Sequence, residues 1–570
     1  MQDDWRLTPK LTLNLGLRWD LEQPVTERFN RLTDRFDPTV INPVSGSAQA
    51  AYAQILATSP TNSGVQELMQ LLPASAFKVM GAQLFAGVGG TPRGAINADY
   101  HEWQPRGGFA YKLAPNAVIR GGFGRFTQAS FVTGGQNGFS RTTDFVATQD
   151  NYLTPYDTLE NPFHSGVLAP TGSSLGALTN LGQGVDWDDP NLNRMYSWEY
   201  SLHLQQQYGQ WLFEIGYSHN KTYDIPVSWN RNEPSFALWK QLQQPIFDST
   251  GRPLDILPWN TLIPNPFYQL PNVTGSIASN KNVTVNQLLN PIPLLGSISQ
   301  DRPTGKNGYD ALQTKIERRY HNGLSLISAF TWSKLMEDTS FWGPQIAGPR
   351  IEHKLGGEDR PFVLALTGIW DLPFGRGRRW GGNLSRWTNL AVGGWEVTGN
   401  YTASSGVPVV FSKDSFYSGQ SAALNKKQRT LDHWFDTNQF VAFPNKNTDI
   451  SNYPAWTGVQ DLPGAGYHPS SKDNIRNGVY QDFASYIRDY PTRWGNIRQQ
   501  GVSELVVGLY KNFAFNSTTR LQLRFDAFNA LNHPRFGAPD TDPTHSNFGV
   551  VKLQQVNQAR TVELGAKFYF

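Results

Sequence analysis

Residues 561–570 read Thr-Val-Glu-Leu-Gly-Ala-Lys-Phe-Tyr-Phe. Val562, Leu564, Ala566, Phe568 and Phe570 fall on one side of an extended chain. Thr561, Glu563, Gly565, Lys567 and Tyr569 fall on the other, because strand side chains alternate between faces. The stretch is one amphipathic strand, and crossing a bilayer at a tilt takes about 9–11 residues. An aromatic residue at the end of such a strand suits the closing strand of a membrane barrel better than a soluble domain.

The same alternation recurs upstream. Leu11, Leu13, Leu15, Leu17, Trp19 and Leu21 oppose Thr12, Asn14, Gly16, Arg18 and Asp20. Further segments with this period lie at 106–113, 118–126, 196–204, 211–217, 309–319, 324–332, 362–372, 395–401, 504–513 and 521–527. With the first and last, they make twelve expected strands. Turn chemistry joins some of them closely: Pro115-Asn116, Gly209-Gln210, Asn322-Gly323 and Asn516-Ser517. Between these tight turns lie long connections at 22–104, 127–195, 220–308, 335–360, 403–502 and 530–558. A connection of intermediate length, 373–390, falls where a short one is due. Short turns on one side and long loops on the other describe an antiparallel transmembrane β-barrel, with periplasmic turns and extracellular loops. The fold expected is all-β.

Bulk composition agrees. The chain has 570 residues, 13% aromatic and 17% charged, with 53 Gly and 37 Pro. Mean hydropathy is −0.45, and no apolar run approaches the roughly 18 residues of a membrane helix. There is no cysteine, which excludes disulfides, thiolate nucleophiles and Cys-bound metals. The formal charge of +3 and the absence of a basic stripe speak against a nucleic-acid partner.

Motifs for chemistry are few. No histidine pair has metal spacing, and no cofactor is implied. Asp186-Trp187-Asp188-Asp189-Pro190-Asn191 lacks the Gly and Glu of a calcium loop and reads as a turn into the next strand. No Ser-His-Asp set or carboxylate pair has support from spacing, so no enzyme is expected. The charges on the polar strand faces, Lys315, Glu317, Arg319, Glu396, Arg524 and Asp526, are candidates to line a lumen. Trp19, Trp332, Trp370 and Tyr569 sit near strand ends and suit interfacial girdles.

Several stretches resemble the barrel of TonB-dependent receptors of the Oar-like group. They include Asp3-Asp4-Trp5-Arg6-Leu7-Thr8-Pro9 with the strand that follows, and Val118-Ile119-Arg120-Gly121-Gly122-Phe123-Gly124. Others are Tyr309-Asp310-Ala311-Leu312-Gln313, Phe330-Thr331-Trp332-Ser333-Lys334 and Asp371-Leu372-Pro373-Phe374-Gly375. The most specific is Phe525-Asp526-Ala527-Phe528-Asn529-Ala530-Leu531-Asn532-His533-Pro534. The resemblance runs from about residue 3 to 570. It implies a bacterial outer-membrane location and a barrel of about 22 strands around a plug. It also implies a function in ligand binding and uptake, with the outer-membrane lipid, a plug, the TonB system, the barrel-assembly machinery and an extracellular ligand as partners. Val562, Leu564, Phe568 and Phe570 then carry the C-terminal assembly signal. Met1-Gln2-Asp3-Asp4-Trp5 opens without a signal peptide and no plug precedes the first strand, so 1–570 is expected to be the N-terminally truncated barrel of a longer receptor. A passive porin-like or adhesion barrel closing with twelve strands, and a soluble secreted carbohydrate-binding protein, are the alternatives.

Overall fold

A computed structural model describes residues 2–94, 96–128, 143, 145–150, 153–235, 238, 261–341, 351–411, 420–440, 475–476, 479–480, 490–516, 518–542 and 545–570. Thirteen strands follow one another in a single antiparallel path. They are β1 Gln2–Arg6, β2 Leu11–Glu22, β3 Asp99–Ala114, β4 Ala117–Thr127, β5 Tyr196–Tyr208, β6 Trp211–Asn230, β7 Ile298–His321, β8 Leu324–Asp338, β9 Phe362–Asp371, β10 Trp395–Ser404, β11 Val502–Ala514, β12 Arg520–Phe528 and β13 Thr561–Tyr569. The twelve expected strands are all present. The additional one, β1, pairs with β2 through Asp4–Asn14 and Trp5–Leu13. Its five residues carry adjacent acids in place of an alternating pattern, so the period-2 signal misses it.

The connections alternate as the turn residues require. Residues 7–10, 115–116, 209–210, 322–323, 372–394 and 515–519 are the shorter set; 23–98, 128–195, 231–297, 339–361, 405–501 and 529–560 are the long one. Asn322 and Gly323 both take positive φ, 51° and 80°. That is the type I′ geometry whose twist matches a tight hairpin, and it closes His321 onto Leu324. The intermediate connection 372–394 carries a short helix, Arg386–Val392.

The path is not a ring. β1 and β13 each pair on one side only, and all but Tyr569 of their residues are exposed. A closed barrel of twelve strands is therefore not formed; the sheet is an open one with two free edges.

Two strands run far past the expected boundaries. β6 has 20 residues and β7 has 24, so each extends well beyond a membrane span at ~3.3 Å per residue. Val185–Asp188 adds to the outer end of β7 in parallel, Val185 opposite Ile298. Of the segment 186–191 read as a turn, residues 186–188 are thus strand, because their backbone finds a partner 113 residues later that no local pattern announces, while Pro190 and Asn191 do form a turn.

The buried cores lie in the long connections. Helix α1, Ser45–Thr58, and helix α2, Ser63–Leu71, come from 23–98. The Asn62 side chain caps α2 by accepting from the N–H groups of Gly64 and Val65. Tyr52, Val65, Leu68 and Phe77 pack with Leu181 from 128–195 and with Ile263, Phe267, Val285 and Leu288 from 231–297. Tyr52 and Phe77 stack at 4.2 Å. A second core joins Phe411, Phe435, Phe440 and Ile497 from 405–501 to Val551 from 529–560, with Phe411 stacked on Trp494 at 4.2 Å. Described residues of five of the six long connections thus build these two cores.

Candidate functional site: the polar face of the sheet and the loop caps

Register separates two faces. Leu202, Tyr217, Leu312, Trp332 and Phe362 are successive cross-strand partners from β5 to β9. Trp370, Val397, Leu509, Phe525 and Leu564 are successive partners from β9 to β13. Many of these apolar residues are exposed, Trp332 at 56% and Leu564 at 81% among them. So wide an exposed apolar belt is intolerable in water and natural in lipid.

The opposite face is polar. Asn14, Gly108, Gly122, Ser201, Ser218, Ala311 and Ser333 are successive partners from β2 to β8. Of the six candidate charges, Lys315, Glu317, Arg319 and Glu396 stand toward the short-turn ends of their strands, whereas Arg524 is at the middle of β12 and Asp526 is two residues from its long-loop end. Lys315 and Glu317 pair on β7 at 2.8 Å. Arg319 is exposed beyond them, where its N–H donates to the Gln210 carbonyl. Glu396 on β10 is the cross-strand partner of Tyr510 on β11, and Tyr510 of Arg524 on β12. The Tyr510 hydroxyl accepts from Arg524 at 2.8 Å and donates to Asp526 at 2.8 Å. Thr367, Thr398, Tyr510, Arg524, Asp526 and Glu563 share the lining of a cavity of about 630 Å³. Gly508 keeps this cluster together, since a Cβ there would stand 2.4 Å from Thr398 Oγ1 and 2.8 Å from Asp526 Oδ1. Tyr510 was legible from alternation within 504–513, but its partners depend on register between strands.

At the opposite end, ion pairs bind two loop caps. Asp359, 1% exposed, accepts from Arg498 at 2.6 Å and from the Leu335 N–H at 2.7 Å. Arg493 pairs with Glu337 and donates to the Leu355 carbonyl at 2.9 Å. Glu352 pairs with Lys354 at 2.8 Å and accepts from the Thr492 N–H. Burial works to raise the Glu352 pKa, yet the Lys354 hydrogen bond and charge and the Thr492 N–H outweigh it and hold the carboxyl below its usual value. Nothing local in the sequence marks these pairs, whose members are more than a hundred residues apart except within 352–354.

No Ser-His-Asp set has support from spacing in the sequence, but the fold brings one such group of side chains together. In 128–195, His164 Nδ1 lies 2.6 Å from Asp157 and its Nε2 lies 3.1 Å from Ser165 Oγ. Hydrogen bonds from the Val146 N–H and from His164 keep the Asp157 carboxyl below its usual pKa. The N–H of Gly166, next after Ser165, is already given to the Phe163 carbonyl at 2.8 Å. Ser165 and His164 are exposed, so the set lacks both an oxyanion donor at that position and shielding from water. Among the described residues no group of three or more His, Cys, Asp or Glu side chains is placed to hold a metal ion, and no helix is long and apolar enough to cross a membrane.

Residues 1–563 match the family model of the outer membrane beta barrel domain. The chain belongs to that family. The barrel domain is thus an outer-membrane protein with its apolar face toward lipid, and the soluble carbohydrate-binding alternative does not stand. Solved structures similar to it include the siderophore receptor PirA from Acinetobacter baumannii, at 8% identity and TM-score 0.37, covering 100% of this chain and 45% of that one. The outer membrane transporter YddB from Escherichia coli has 10% identity and TM-score 0.33, covering 86% and 42%. The ferripyoverdine receptor of the outer membrane of Pseudomonas aeruginosa has 8% identity and TM-score 0.33, covering 100% and 37%. The barrel domain therefore spans less than half the length of these chains. Scores this low leave the family match as the deciding observation. No curated protein matches the sequence.

Proposed function

We propose that this barrel domain is the outer wall of a TonB-dependent uptake receptor. Its extracellular caps bind a ligand, and a plug gated by TonB controls passage. The observation that carries this reading is the direction of the two free edges. β1 runs into the short turn 7–10, and β13 runs away from the long loop 529–560. Both point to the periplasmic side. Paired with each other they would be parallel, whereas membrane barrels are antiparallel. A second copy fails for the same reason. An odd number of further strands restores antiparallel closure, and about nine would reach the size that holds a plugged lumen. A bare edge in lipid leaves backbone groups without partners, so the wall requires completion.

The polar-face charges support the same reading. Lys315, Glu317, Arg319 and Glu396 lie within about six residues of the periplasmic ends of their strands, and Arg524 and Asp526 lie at and beyond the middle of β12; on the inner face they would meet a plug. The exposed β13 residues Val562, Leu564 and Phe568, with Phe570 just past the strand's end, would present the assembly signal to the barrel-assembly machinery before the edge is closed.

Planar-bilayer conductance of the complete polypeptide tests the proposal. A plugged receptor passes no steady current until a denaturant or TonB disturbs the plug. Steady conductance of the untreated protein would instead identify a passive pore and overturn the receptor reading.

A further inference from the structure

Just outside the aromatic level of the lipid face, its chemistry changes within one step along the strands. The row Leu202, Tyr217, Leu312, Trp332 and Phe362 is apolar or aromatic. Two residues toward the long loops, the next row is Tyr200, His219, Asp310 and Lys334, again successive cross-strand partners. Alternation puts both rows on the same face. Eight residues below Trp332 on β8, Leu324 pairs with Trp370. That separation is about 26 Å along the strand, or about 20 Å of depth at the usual tilt, close to the apolar band of an outer-membrane barrel. The row holding Lys334 therefore lies at headgroup level in the outer leaflet.

The row is a built arrangement. Asp310 accepts from the Tyr217 hydroxyl at 2.5 Å and contacts His219 Nδ1 at 2.7 Å. Lys334 faces Asp310 across β7 and β8, is exposed, and makes no ion pair among the described residues. Around it opens a largely apolar cavity of about 620 Å³, whose wall runs from Tyr217, Leu312 and Trp332 on the membrane side to Leu355, the cross-strand partner of Met336, on the outer side, with Pro361 also in the wall and Lys334 at its polar margin. Arg498 also reaches this margin but is committed to Asp359 at 2.6 Å. An apolar slot open to lipid, an ammonium at its margin with no ion pair among the described residues, and a carboxylate with one oxygen that accepts from none of them make a matched set. They fit an acyl chain, a phosphate and a hydroxyl in that order.

We propose that this groove binds an outer-leaflet lipid whose headgroup carries phosphate and hydroxyl groups. The acyl chain lies against Trp332 and Leu312, the phosphate against Lys334, and a headgroup hydroxyl donates to Asp310. The inference rests on the outer-membrane location of the family and is independent of the uptake reading. A lipid held here fastens the 351–361 segment to the membrane surface, because Leu355 and Pro361 share the groove wall.

The test uses the full polypeptide in mixed micelles, with phosphatidylglycerol as probe and phosphatidylcholine as the lipid of equal chain length. Native mass spectrometry reads the bound lipid. Brominated acyl chains read contact with Trp332, by comparing fluorescence quenching with that of Trp332→Leu. Lys334→Glu should lower phosphatidylglycerol retention by at least about fivefold, since loss of one basic residue at an anionic surface is already worth that much. Lys426→Glu, in the 405–501 connection but outside the groove lining, should leave it unchanged. Heat-modifiable electrophoretic mobility confirms that each variant is folded. Equal retention of the two lipids, or of phosphatidylglycerol by wild type and Lys334→Glu, overturns the proposal. Displacement by millimolar inorganic phosphate with no bromine quenching of Trp332 would assign the site to free phosphate and overturn the lipid.

Discussion

The ring of Phe123 on β4 lies across Gly107 on β3, with Cε1 2.6 Å from where a glycine Cβ would stand. The relation is reciprocal. Phe109 on β3 covers Gly121 on β4, with Cε1 at 2.5 Å. These residues are cross-strand partners on the lipid face, so two glycines there admit two aromatic rings flat against the backbone. Burying ring faces on bare backbone recovers area that glycine would otherwise leave open.

Leucine at position 107 or 121 must push the covering ring outward. Gly107→Leu and Gly121→Leu are each expected to lower stability by about 1–3 kcal/mol, as overpacking does. Gly108→Ala serves as the contrast, because its Cβ would meet nothing nearer than the Gly121 carbonyl oxygen at 3.4 Å. Urea unfolding in detergent micelles measures all three. Equal midpoints for Gly107→Leu and Gly108→Ala would refute the packing argument.

Tyr510→Phe removes the hydroxyl shared by Arg524 and Asp526. Bonds to charged partners are worth about 1.5–3 kcal/mol, and the variant should lose roughly that much while keeping its strand content by circular dichroism. An unchanged unfolding midpoint would mean water substitutes fully for the hydroxyl.

Arg498→Met leaves Asp359 buried without its cation. Removing one partner of a buried pair costs about 3–5 kcal/mol. The loss should appear locally, as faster hydrogen exchange across 351–361, with strand amides of β2 and β3 unaffected. The double variant Asp359→Asn with Arg498→Met should recover part of the protection, since no unpaired charge remains.

Acid should loosen the same caps. The Glu352 pKa is held below its unfolded value of 4.5. A carboxyl depressed in the folded state contributes stability that is present above the unfolded pKa and lost as pH falls through the folded one. Proteolysis of 351–361 by an acid-active protease should therefore accelerate on going from pH 5 toward pH 3 (about two units, bracketing the ordinary carboxyl range). Glu352→Gln should flatten that dependence, and a wild-type profile that stays flat would show that the pair does not secure the loop.

Legibility followed the range of the physical cause. Alternation within 11–21 or 561–570 needs only neighbouring residues, so twelve strands, their faces and the order of short and long connections were readable. β1 escaped because five residues with Asp3 and Asp4 side by side carry no period. The ends of β6 and β7 escaped because strand addition by Val185–Asp188 and pairing as far as Ser299 with Asn230 hold backbone that local pattern leaves as loop. Of the candidate charges, the face of each was readable from parity. The meeting of Arg524, Tyr510 and Asp526 required the register of two neighbouring strands.

The sequence by itself determined that this is a membrane barrel wall with two unlike faces and two unlike ends, because period-2 hydrophobicity and turn residues act over a few bonds. Only the tertiary structure decided that the wall is open, that its edges run the same way, and that its buried cores sit in the loops. Those outcomes depend on which distant backbone groups find partners and which apolar clusters meet, such as Tyr52 with Phe267 and Phe411 with Val551. Such contacts arise between residues that share no local pattern, so their free energy becomes visible only when the chain has folded.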